Sequence, residues 1–327
     1  MSPASPSSPL GAAITAYVDR QRSLGLQYDK EARILQQLDT FLAESDHSDL
    51  TASGFNDWAL TLEHLTPQGR RKKMRIVYRF TLHRRHTTPE CFVPDPAQFP
   101  APSPAPAPWI FSEQQILALL EQTGQLQPAP QSPLRAHVYR LAVVLLYTAG
   151  LRRGELVRLR IGDYAPSRHT LLVRVSKFRK SRIVALSPDA WREMDAYLRP
   201  RLCFPHTASS PLLAHGSRAD KAFSGSTFGK GFRQLCRDGS VLTDSGRPPR
   251  VHDVRHTYAA HVLLRCYRDN RNPQAVLPIL SRAMGHASLA STAYYLSMID
   301  PILEQAAQQV ARHVGPLLAG NPGGSHG

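Results

Sequence analysis

The chain has 327 residues, with 40 Lys+Arg against 25 Asp+Glu and a formal net charge of +15 at pH 7. A hydrophobic fraction of 42% excludes a disordered chain, and the length is a soft prior for two domains. No run of about eighteen apolar residues marks a membrane span, the N-terminus lacks a secretory leader pattern, and so basic a chain calls for a polyanionic partner. Arginine outnumbers lysine, and a guanidinium fork grips phosphate at two points, which favours nucleic acid over a membrane surface. Cys91, Cys203, Cys236 and Cys266 are scattered without metal-ligand spacing, which suggests free thiols in a reducing cytoplasm.

Residues 1–9 are rich in Ser and Pro and read as disordered. Residues 10–93 read as four helices. Ile14, Tyr17 and Val18 mark the first; Ile34, Leu35, Leu38, Phe41 and Leu42 the second; Phe55 and Trp58 the third. Thr66-Pro67 caps the fourth, which carries Arg70, Arg71, Lys72, Lys73, Arg75 and Arg79 beside Met74, Ile76, Val77 and Phe80. Like charges at helical spacing repel one another, and a phosphate backbone relieves that repulsion, so this helix is expected to contact DNA. Residues 94–108, PDPAQFPAPSPAPAP, read as an extended polyproline linker at a domain boundary.

The second domain, residues 109–300, is expected to be mostly helical with a small antiparallel sheet. Ser112 and Gln115 suggest a capping box, and a second apolar helix runs from Arg135 to Thr148. Thr170–Ser176 and Arg182–Leu186 alternate as paired strands around a basic tip that holds Lys177, Arg179 and Lys180. Helices follow from Ser187-Pro188, near 227–237, over 252–266 and over 273–284; the rest of 204–243 reads as loop. Residues 301–314 are expected to form an apolar-polar helix ahead of a disordered Gly-rich end.

Four stretches stand out in order: Gly150-Leu151-Arg152-Arg153-Gly154-Glu155-Leu156, the Lys177 hairpin, His252-Asp253-Val254-Arg255-His256-Thr257, and Gly285-His286 followed nine residues on by Tyr295. Over residues 109–300 the chain resembles the tyrosine recombinase (phage integrase) family. The four stretches match its G-L-R-x-x-E-L box, its lysine-bearing hairpin, its H-x-x-R-H-T/S box and its G-H…Y segment. The resemblance implies a site-specific DNA recombinase that cuts and rejoins strands through a 3′-phosphotyrosine. It implies Tyr295 as nucleophile, with Arg152 and Arg255 on the phosphate. His252 would exchange a proton with the phenol, His286 would bond the phosphate and Lys177 would protonate the leaving 5′-oxygen. Glu155 would orient its neighbours. In bare sequence Arg153 rivals Arg152, and Arg179 and Lys180 rival Lys177. His256, His261 and Tyr294 read as packing or capping residues.

The chemistry fits those residue types. Attack on a phosphodiester builds negative charge, which arginine forks stabilise, and a phenol of pKa about 10 needs nearby cations to attack at all. Because the phosphotyrosine keeps the energy of the broken ester, neither ATP nor a metal is expected, and no cofactor is implied. The partner is double-stranded DNA at a specific recombination site, with a homotetramer on DNA and a monomer or weak dimer when free, the 301–327 segment docking in cis or in trans. A nucleoid-associated cytoplasmic location follows from that reading. A non-catalytic DNA-binding protein on the same scaffold and a type IB topoisomerase remain alternatives.

Overall fold

A computed structural model describes residues 8–45, 47–102, 107–174, 181–285 and 290–296. Lys177, Arg179, Lys180, His286 and the 301–327 segment lie outside the described residues. The chain divides into two compact units, Met1–Pro106 and Ala107–Gly327.

The first unit holds helices α1 (Gly11–Ser23), α2 (Asp29–Glu44), α3 (Ala52–Leu60) and α4 (Pro67–Arg84). Thr51 and Thr66 cap α3 and α4 by accepting from the Gly54 and Gly69 amides, which satisfies donors a helix start leaves open. Leu35, Leu38, Leu42, Trp58, Ile76, Val77 and Phe80 close the core. The start of the proline-rich stretch is not the free linker expected. Phe99 is buried in this core, and the Pro100 carbonyl accepts from Arg71 at 2.7 Å. A large aromatic ring gains more from burial than the segment loses by being fixed.

In the second unit, α5 (Glu113–Gly124) opens with the capping box expected at Ser112 and Gln115. Buried α6 (Arg135–Ala149) ends at Gly150, whose φ of +57° is the left-handed C-cap that glycine adopts without strain. The one-turn helix α7 (Arg153–Leu156) follows at once. Strands β1 (Tyr164–Ala165), β2 (Thr170–Val173) and β3 (Arg182–Ala185) make an antiparallel sheet with Leu171 opposite Val184. Helix α8 (Pro188–Arg201) covers part of α6. A short hairpin, β4 (Ala214–His215) with β5 (Lys221–Ala222), lies where the sequence suggested only loop. Two-residue strands carry no alternating pattern to read. Then come α9 (Gly225–Asp238), α10 (Val251–Arg268), α11 (Pro273–Met284) and the turn α12 (Ala290–Ala293). The fold is thus mainly helical with small antiparallel sheets, as expected. No described helix is long and apolar enough to cross a membrane.

Candidate active site

Two chain reversals build the site. At the first, α6 ends on Gly150 and the chain enters α7 with Arg152 as its N-cap. At the second, α11 ends on Gly285, again left-handed with φ +66°. A helix end leaves carbonyls without intrahelical partners. Here three consecutive ones each take an arginine: Ala283 from Arg182 (2.9 Å), Met284 from Arg255 (2.7 Å) and Gly285 from Arg152 (2.5 Å). Arg255 also donates to the Gly150 carbonyl, so it ties the two reversals together. The negative pole of α11 offsets part of the repulsion among these cations.

Glu155 supplies the counter-charge. It is buried, and Arg182 grips it with two parallel bonds of 2.9 Å while Arg152 adds its guanidinium at 2.8 Å and its backbone amide at 2.9 Å. Burial alone would raise the carboxyl pKa; the Arg182 and Arg152 hydrogen bonds outweigh it and hold Glu155 at about 2. A carboxyl whose pKa falls on folding adds stability above its unfolded value, here an ordinary 4.5, and loses it as the pH drops toward 2. The contribution is on the order of 3 kcal/mol at neutral pH. Urea midpoints should therefore fall between pH 5 and pH 3 in the wild type, and more gently in Glu155→Gln.

Arg152 and Arg255 come together, whereas Arg153 does not. Arg153 turns away to the start of α9, where a methyl on Gly225 would lie 3.2 Å from its Nε. Arg255 is almost wholly buried, and desolvation, then the nearby Arg152, pulls its pKa to about 10, which leaves it charged at neutral pH. His252, one turn ahead of it on α10, keeps part of its ring in solvent; partial desolvation and then the Arg255 charge hold its pKa below the usual imidazole range.

The two adjacent tyrosines part company. Tyr294, expected to pack, is 50% exposed, whereas Tyr295 is 2% exposed against Ala259, Leu263, Leu277 and Met284. The short turn after α12 points one ring at the apolar face of α10 and α11 and its neighbour outward. Burial raises the Tyr295 pKa, and the charges of Arg255 and Arg152 pull the other way. His256, read from the sequence as a packing or capping residue, stands with Nδ1 2.9 Å from the Tyr295 hydroxyl. It follows Arg255 directly on α10, and the short turn after α12 brings the phenol to it, a juxtaposition that sequence spacing does not display. Arg182 was also missed, because its partners lie 27 and 101 residues away.

The Phage integrase family model matches residues 111–300, more than half of the chain. The chain belongs to the phage integrase family. It is 28% identical to y4rB of Sinorhizobium fredii, which bears the name integrase/recombinase, over 92% of this chain and 96% of that one. It is 30% identical to Tyrosine recombinase XerA of Pyrococcus furiosus over 52% of this chain and 54% of that protein. Among solved structures, the Tn1549 transposon integrase in complex with a circular intermediate DNA aligns with a TM-score of 0.60 at 16% identity, covering 86% of this chain and 94% of that one. A lambda integrase dimer bound to a core site gives 0.57 at 15% identity, covering 87% and 94%. These two likenesses place the fold of this phage integrase family member.

Proposed function

We propose that the protein is a site-specific DNA recombinase that cuts and rejoins strands through a 3′-phosphotyrosine at Tyr295, with neither metal nor ATP. The observation that carries this is the gathering of Arg152 and Arg255 on adjacent carbonyls at the end of α11, close enough for both charges to act on the Tyr295 phenol. The names of its relatives, integrase and tyrosine recombinase, support the same chemistry. In the proposed step the Tyr295 oxygen bonds to phosphorus and the bond from phosphorus to the 5′-oxygen breaks. Arg152 and Arg255 stabilise the added negative charge, and His252 exchanges a proton beside them. Lys177, with Arg179 and Lys180 beside it, gives the leaving oxygen its proton, and His286 bonds the phosphate; both roles rest on the sequence pattern. Glu155 positions Arg152.

The four helices of residues 10–93, within the first unit, serve as the DNA-binding domain. Lys72, Arg75 and Arg79 are exposed on one stripe of α4 and suit phosphate contact. Arg71 is held by Pro100 and Lys73 by Gln37, and Arg70 is half-buried, so these three contribute less. A homotetramer on double-stranded DNA completes the proposal.

The test is capture. The full chain is incubated with a library of DNA fragments, denatured at once, and any protein–DNA adduct is sequenced and its attached residue mapped by mass spectrometry. The expected result is an adduct on Tyr295 at a recurrent DNA sequence. Tyr295→Phe should lose it and keep DNA binding, while Tyr294→Phe should keep both. An adduct on Tyr294, the exposed ring, would overturn the assignment. No adduct at all would leave a DNA-binding scaffold, and relaxation of a plasmid lacking the captured sequence would favour a topoisomerase.

A further inference from the structure

We propose that His256 is the base that takes the phenolic proton of Tyr295, an inference that rests on the recombinase reading above. The geometry is direct: Nδ1 lies 2.9 Å from the hydroxyl oxygen, within the reach a general base needs. The ring centroids of the two residues are 5.6 Å apart at 51°, so the contact runs through the ring edge where the nitrogen lone pair lies. His256 is half-buried on α10, whose next turns carry the apolar residues against which Tyr295 packs.

The surroundings keep this imidazole an acceptor. His252 sits edge-on with ring centroids 4.6 Å apart, and Arg250 and Arg255 add positive charge, with Asp253 opposing them. Desolvation, and then His252, hold the His256 pKa at about 4, so the ring is neutral at working pH, and in the tautomer with its proton on Nε2 the Nδ1 lone pair accepts from the phenol. So weak a base does not ionise the phenol at rest, which keeps the nucleophile unreactive. An arriving DNA phosphate brings negative charge to a cluster of cations and raises the basicity of any imidazole beside it. The step then balances. The Tyr295 O–H bond breaks and its proton moves to Nδ1, giving an imidazolium. The phenolate oxygen bonds to phosphorus, and the 5′-oxygen departs with a proton from a separate acid. On rejoining, the imidazolium returns its proton to Tyr295. His256 thereby takes the proton exchange that the reading above gave to His252, and His252 is left to the phosphate.

The experiment uses the full chain and a nicked duplex carrying the captured DNA sequence, which traps the adduct after one turnover. His256→Ala should bind this duplex as the wild type does and form the adduct about a hundredfold more slowly, the lower end of what general base catalysis supplies. His256→Asn places an amide near the position of Nδ1 but cannot accept a proton, so it should stay slow. Added imidazoles should restore the rate of His256→Ala, increasingly so as their basicity rises. A His256→Ala rate equal to wild type, full recovery in His256→Asn, or rescue indifferent to basicity would each overturn the inference while the recombinase reading stands. Absence of any adduct in the wild type would overturn both.

Discussion

Glu155→Gln should lower stability by about 3–5 kcal/mol and abolish adduct formation, although Glu155 touches no DNA in the proposed reaction. The substitution keeps size and shape and removes the charge. Arg182 would then be left 12% exposed beside Arg152 and Arg255 with its carboxylate gone. An amide offers one acceptor oxygen where the carboxylate takes two bonds from Arg182 and one each from the Arg152 guanidinium and amide. Repulsion among the arginines would then turn Arg152 away from the Gly285 carbonyl. Chemical denaturation measures the stability loss, and the nicked duplex measures the activity. A stable variant with a wild-type adduct rate would show that the carboxylate does not set the arginines.

The second large effect is expected at Gly150. A methyl group there would lie 2.4 Å from Cδ1 of Tyr258, and the backbone sits at φ +57°. The left-handed conformation costs a non-glycine residue about 1–2 kcal/mol, and overpacking adds about 1–3. Gly150→Ala should therefore lose about 2–5 kcal/mol by the sum of those two terms. It should also slow the reaction, because the Gly150 carbonyl is one of the two acceptors that hold Arg255. Gly246→Ala is the control: its φ is also positive, at +72°, but a methyl there meets nothing within 4 Å. It should cost only the conformational part and leave the adduct rate alone. Equal melting shifts for the two variants would refute the packing argument.

Several helices were legible because they carry their own punctuation. Thr66-Pro67, Ser112 with Gln115, and Ser187-Pro188 announce starts, and Gly150 announces an end. The strands Thr170–Val173 and Arg182–Ala185 were legible because they alternate. The β4–β5 hairpin is too short to alternate, and the burial of Phe99 depends on a cavity that only α3 and α4 create. In the site, the boxes identified Arg152, Glu155 and Arg255 as candidates that the structure brings together. Arg182 and His256 were invisible for one shared reason. Their partners are a backbone carbonyl and a distant side chain, and neither leaves a local pattern. The choice of Tyr295 over Tyr294 came from counting from His286, yet the physical difference between the rings is burial, which counting does not convey.

The three carbonyls that close α11 also fix when the site can exist. Arg152, Arg182 and Arg255 lie up to 133 residues ahead of their acceptor at 283–285, and all three acceptors come from one late helix end. A growing chain that has not reached Gly285 holds only the Glu155 and Gly150 acceptors and lacks the three carbonyls that complete the seating, and it also lacks Tyr295. The arginines are therefore fully seated only once Gly285 has been made, so a shorter nascent chain is basic without a completed site.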